Sequence, residues 1–184
     1  LRGRGVAIRT NTNVDSISRT ATQSTVHCGG APLAPFDQVI FACHSDQALA
    51  ILGADATPAE DAALSSIRYQ PNRAVLHCDQ NQMPRRRACW SSWSYRSQEG
   101  HIGVTYWMNR LQGIDESKPI FVSLNPVRPP ENDLTFAVFE YDHPQYDSVA
   151  LAAQKELEQV QGINRTWFCG AWTGYGFHED GLLS

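Results

Sequence analysis

The chain has 184 residues, 42% of them hydrophobic, which is enough to bury a core and to form one domain or parts of two. Its formal net charge of −4 gives no electrostatic reason to expect a nucleic-acid partner, and the one basic run, Arg85-Arg86-Arg87, reads as a solvated turn. No apolar stretch approaches the roughly 18 residues that cross a bilayer, and the opening Leu-Arg-Gly-Arg-Gly lacks the apolar core of a signal peptide.

In chain order, Gly5 to Thr10, Val14 to Arg19 and Ser24 to Cys28 read as short strands, and Gly29-Gly30 with Pro32 and Pro35 breaks the pattern. Phe36 to Cys43 is a continuous apolar run of the kind that is buried on both faces of a sheet, and Ser45 is placed to cap a helix running through Leu52. Thr57-Pro58-Ala59-Glu60 carries the Thr, first-turn Pro and Glu spacing of a capping box, which predicts a second helix to about Ser66. From Arg68 the texture changes. Ala74 to Cys78, Ala88 to Tyr95, Ile102 to Met108, Ile120 to Leu124 and Leu134 to Tyr141 alternate, are rich in aromatics and are separated by turns, so they predict an antiparallel sheet. Thr166 to Cys169 then reads as a last strand. The fold class is α/β in its first third and α+β overall.

The residue types exclude several chemistries. Cys28, Cys43, Cys78, Cys89 and Cys169 form no CxxC pair, and their odd number argues against a complete disulfide framework, so a reducing cytoplasm fits best. Cys43 and Cys169 sit in apolar runs and read as buried small hydrophobes. His44, His77, His101, His143 and His178 are scattered, with no pair at the i, i+4 spacing that puts two metal ligands on one helical face. There is no nucleophile elbow and no phosphate-binding P-loop. Trp90, Trp93, Tyr95, Tyr106 and Trp107 form an aromatic cluster. The spacing of Trp93 and Tyr95 places both on one strand face, where they either wall an apolar substrate cavity or pack a core.

The final segment, Arg165 to Ser184, carries the strongest signal. A short apolar run enters a turn punctuated by Gly170, Gly174, Gly176 and Gly181, after which Leu182 and Leu183 open a helix. Glycines let a backbone approach a ligand closely, and a helix N-terminus offers unpaired N–H groups and a positive dipole end. His178-Glu179-Asp180 reads as an acidic helix start rather than as a metal cluster, since three consecutive side chains diverge.

Phe168, Gly170, Thr173, Asp180 and Gly181 resemble the C-terminal flavin-binding motif of the FAD-dependent amine oxidase superfamily. The whole run W-F-C-G-A-W-T-G-Y-G-F-H-E-D-G-L is similar to a bacterial branch of predicted NAD/FAD-binding proteins related to amine oxidases and carotenoid desaturases. The resemblance implies FAD as cofactor and a partial FAD/NAD(P)-binding, Rossmann-like domain with an inserted antiparallel-sheet substrate domain. Residues 1–56 and 149–184 would belong to the flavin domain and 57–148 to the substrate domain. It implies cofactor contacts at Val14, Gly170, Ala171, Trp172, Thr173, Asp180, Gly181 and Leu182, with the Val14 backbone at the adenine.

The activity implied is hydride transfer from an apolar or amine small molecule to FAD. The only lysines, Lys118 and Lys155, sit in no motif that matches the lysine of such enzymes, so no catalytic residue is named. The G-x-G-x-x-G turn that holds the FAD pyrophosphate in this superfamily is not found in the sequence, so the remainder of the flavin domain is expected to lie outside these residues. Without it, a non-catalytic α+β module that binds a ligand or partner is the alternative.

Overall fold

The computed structural model describes residues 2–184. In chain order the strands and helices are β1 (Ser16–Arg19), β2 (Ser24–Cys28), β3 (Ala31–Pro32), β4 (Val39–Phe41), α1 (Ser45–Leu52), α2 (Pro58–Ser65) and β5 (Tyr69–His77). They continue with β6 (Trp93–Gln98), β7 (His101–Trp107), α3 (Met108–Gln112), β8 (Phe121–Leu124), β9 (Thr135–Pro144), α4 (Ser148–Val160), β10 (Thr166–Phe168) and α5 (His178–Leu183). The fold is α+β, and the chain divides into two compact units: residues 1–68 with 144–184, and residues 69–143.

In the first unit, β1, β2 and β3 form a three-stranded antiparallel sheet, and β4 pairs in parallel with β10. The capping box expected at Thr57 is formed: the Glu60 N–H donates to Thr57 Oγ1 at 3.2 Å, and the Thr57 N–H donates to the Glu60 carboxylate at 2.8 Å. Helix α4 is capped by Asp147, whose carboxylate accepts the Ala150 N–H, and it buries Ala150, Ala153, Leu157 and Val160, one stripe at helical spacing. Helix α2, expected from sequence to open the middle segment, falls in this compact unit, which divides from the other at Arg68 and Pro144.

Three local expectations are corrected. Gly5 to Thr10 forms no strand; the stretch is exposed and has no neighbour in any of the three sheets to supply a hydrogen-bond ladder. The run Phe36 to Cys43 yields a three-residue strand with a single partner, and Ile40 is 65% exposed rather than buried on both faces. Ser45 is the first residue of α1 and is buried, with His44 at the cap position.

The second unit is a five-stranded sheet in the order β6-β7-β8-β5-β9. The antiparallel register sets Trp93 opposite Tyr106, Tyr95 opposite Val104, Tyr106 opposite Val122 and Val122 opposite Leu76. The other face carries the core of this unit, Met83, Trp90, Trp107 and Phe121, with the Trp90 ring edge-on to both Trp107 and Phe121. The start of the expected Ala88 to Tyr95 strand instead lies in a short 3₁₀ turn, Arg87–Cys89, that inserts Trp90 into this core.

Candidate functional site

Two features of the sequence reading survive as local geometry, one in each unit. In the first unit, β10 ends at Phe168 and the chain enters the turn at Gly170 with φ +144°, a conformation that a side chain would strain. A Cβ at Gly170 would stand 2.8 Å from the indole nitrogen of Trp172, so the constraint comes from the turn's own tryptophan. Trp172 is only 4% exposed, and its indole N–H donates to the Cys43 carbonyl at 3.0 Å, tying the turn to the end of β4. Burial pushes the Cys43 thiol up from its ordinary range, as suits an unreactive cysteine.

The remaining contacts fix the turn's shape. The Thr173 hydroxyl donates to the Gly170 carbonyl at 2.9 Å, and the Gln154 amide donates to the carbonyls of Trp172 and Gly174. Asp180 accepts the N–H groups of Tyr175 and Phe177 at 3.1 and 2.9 Å. Helix α5 therefore opens at His178, two residues before the Asp180-Gly181 pair. With the Asp180 carboxylate already seated at its first turn, this six-residue helix does not present the free positive terminus that the sequence suggested.

Among the eight residues named for the cofactor, Trp172, Thr173 and Asp180 thus hold the turn through their side chains. Gly170, Ala171, Gly181 and Leu182 supply its surface, with Leu182 78% exposed. Val14 lies apart from the turn in sequence, in the irregular segment just before β1, and its side chain is exposed. The main-chain N–H groups of Ala171 and Trp172 have no acceptor among the described residues, and Gly181 has no atom nearer than 3.4 Å to the position of a Cβ. Such a turn suits a group that brings oxygen atoms to main-chain amides.

In the second unit, Trp93 and Tyr95 do share a face, at 55% and 69% exposure. They are not core residues. Across the sheet they continue into Val104, Tyr106, Val122 and Leu76, all half-buried, forming an apolar surface that is open within the unit.

The opposite face holds a polar chain that the sequence reading missed. His77, fully buried, accepts the Asp79 N–H at Nδ1, so its proton is on Nε2 and donates to Ser123 Oγ at 2.8 Å. Ser123 Oγ lies 2.8 Å from Thr105 Oγ1. Burial lowers the His77 pKa to about 4, with Asp79 opposing, so the ring is neutral. No spacing signal could have found this set, because β5, β7 and β8 bring it together across the sheet.

No protein-family model matches the sequence, and no curated protein matches it significantly. Solved structures do. A CLA-producing fatty acid isomerase from P. acnes superposes with a TM-score of 0.61 at 14% identity, over 94% of this chain and 45% of that one. A putative protoporphyrinogen oxidase from Exiguobacterium sp. 255-15 gives 0.60 at 12% identity, over 96% and 45%. Cyclohexylamine oxidase from Brevibacterium oxydans IH-35A gives 0.53 at 10% identity, over 92% and 45%. The chain shares their fold. It spans less than half the length of each, and at these identities the likeness extends to the fold alone. Among the described residues no helix is long and apolar enough to cross a membrane.

Proposed function

We propose that this chain is part of an FAD-dependent oxidoreductase that passes a hydride from a small organic substrate to the flavin. The observation that carries the reading is the fold match over more than nine-tenths of the chain to structures that include an amine oxidase and a putative protoporphyrinogen oxidase. The glycine turn agrees with it: the free amides of Ala171 and Trp172 and the bare Cα of Gly181 form a surface on which cofactor oxygens can rest. When bound, FAD supplies the hydride acceptor.

The protein's part is to bind, orient and exclude water. Thr173, Asp180 and Gln154 hold the turn in shape so that its amides are set before the cofactor arrives, and Trp172 anchors it to β4. On the middle unit, Trp93, Tyr95 and the half-buried row behind them give an apolar surface for a substrate of apolar or amine type. The remainder of the flavin domain is the partner. Ile40 and Trp167 stand side by side on β4 and β10, both exposed, and leave bare a sheet face that further chain would cover. Loading the protein that carries this chain with FAD and following bleaching of the flavin band under candidate amines and apolar reductants tests the reading; failure to take up FAD would refute it.

A further inference from the structure

A second site, independent of the flavin reading, lies in the middle unit on the Arg96 side of the sheet. A cavity of about 750 Å³ is lined there by Arg85, Arg96 and Arg128 together with Gln80, Asn81 and Gln98, and by no carboxylate. None of the three arginines has an acidic partner among the described residues, although the chain as a whole carries a net charge of −4. The third member of the basic run, Arg87, is by contrast committed. Its guanidinium lies 4.5 Å over the Trp90 ring and pairs with Glu116 at 2.7 Å. Arg96 is half-buried and held by the Asn81 carbonyl at 3.2 Å, so one cation of the three is already positioned.

A smaller cavity of about 110 Å³ adjoins, sharing Arg96 and Pro84 with the first, and it is also free of carboxylates. One of its lining residues is Thr105, only 6% exposed. The His77 tautomer fixes the sense of the chain behind it. His77 Nε2–H donates to Ser123 Oγ, and among the described residues the only acceptor for the buried Ser123 proton is Thr105 Oγ1. The Thr105 hydroxyl hydrogen is then left without an acceptor among the described residues, as a donor at the cavity wall. Three guanidiniums without an acidic partner, side-chain amides and an outward hydroxyl donor make a lining rich in donors and free of carboxylates, which favours an oxyanion over a cation.

We propose that these adjoining cavities bind a soluble small molecule bearing a phosphate or pyrophosphate group, with Arg96 at the centre of the site. Guanidinium forks grip phosphate oxygens in pairs, and the Thr105 hydroxyl donates to an oxygen of the portion that enters the smaller cavity.

Calorimetric titration of the chain with inorganic pyrophosphate tests this. Saturable binding is expected that weakens as salt is raised, falls at least about tenfold in Arg96→Gln and in the Arg128→Gln variant, at an exposed position, and is unchanged in Arg86→Gln, which lines neither cavity. Thr105→Val, with fold confirmed by circular dichroism, is expected to weaken binding about fivefold or more. A parallel arm uses phosphatidylcholine vesicles containing phosphatidic acid. The absence of pyrophosphate binding, equal binding by all variants, or binding to the vesicles alone would each overturn the proposal.

Discussion

Arg19 and Glu60 form a bidentate ion pair in which both side chains are out of contact with solvent: Nη1 reaches Oε1 at 2.5 Å and Nη2 reaches Oε2 at 2.9 Å. The remaining donors are also used. Nε meets the Asp55 carboxylate at 2.8 Å, and Nη1 reaches Thr166 Oγ1 at 3.1 Å, so one guanidinium ties β1, the segment after α1, α2 and β10 together. Burial raises the Glu60 pKa, but the hydrogen bonds from Arg19 and from the Thr57 N–H outweigh it and hold the carboxyl below its ordinary range. Removing one partner would strand a buried charge, which costs far more than an exposed pair is worth.

Glu60→Ala is therefore expected to destabilise the first unit by about 3–5 kcal/mol in urea unfolding, whereas breaking the exposed Arg87 and Glu116 pair with Glu116→Ala costs less than about 1 kcal/mol. Because the folded-state pKa of Glu60 is depressed, its contribution is present above the unfolded carboxylate pKa and is lost as pH falls through the folded value. Equal, small losses in the two variants would show that the Arg19 network carries no weight.

The sequence disclosed half of that network. The Thr57 and Glu60 spacing was legible as a capping box, because both partners lie within one helical turn. Arg19 and Thr166, 41 and 106 residues from Glu60, carry no local pattern that names them. The same division runs through the rest of the molecule. The glycine turn and the shared face of Trp93 and Tyr95 are local in sequence and could be read from it. The exposure of Ile40 and the His77, Ser123 and Thr105 chain depend on which strands become neighbours, and no single segment records that.

Folded His77 has a pKa of about 4, so its ring is neutral near pH 7, whereas unfolded it returns to an ordinary value near 6.5. Between those values the unfolded chain binds the extra proton, so stability contributed by the buried neutral ring falls as pH drops from about 6.5 toward 4, by on the order of 3 kcal/mol. Imidazole resonances in a proton NMR titration provide the check: the His77 signal should stay unshifted from pH 7 to pH 5. A midpoint near 6.5 would mean that the ring is hydrated.

The glycines of the turn should separate shape from cofactor contact. Gly170→Ala meets both a positive φ and the Trp172 ring, so it should lower the melting temperature of the chain, while Gly181→Ala, with 3.4 Å of clearance, should leave it nearly unchanged. In the FAD-loaded protein, Gly181→Val should nonetheless reduce the flavin-to-protein ratio. Full flavin retention in Gly181→Val would take that position out of the cofactor surface.

Trp93→Ala and Tyr95→Ala remove exposed side chains and should cost little stability, whereas Trp107→Ala opens the core and should cost about 3–5 kcal/mol. If the aromatic face binds substrate, the two former variants slow flavin reduction by several-fold in stopped-flow measurements. Unchanged reduction rates in both would leave the face without a role in turnover.

The central claim, that this chain forms part of an FAD enzyme, is tested most directly by the cofactor content of the protein that carries it. Purified without added cofactor and then denatured, that protein is expected to release FAD in an amount close to equimolar with polypeptide, with Val14→Pro reducing the amount and Val14→Ile sparing it. A colourless protein that fails to take up FAD on incubation would contradict the account.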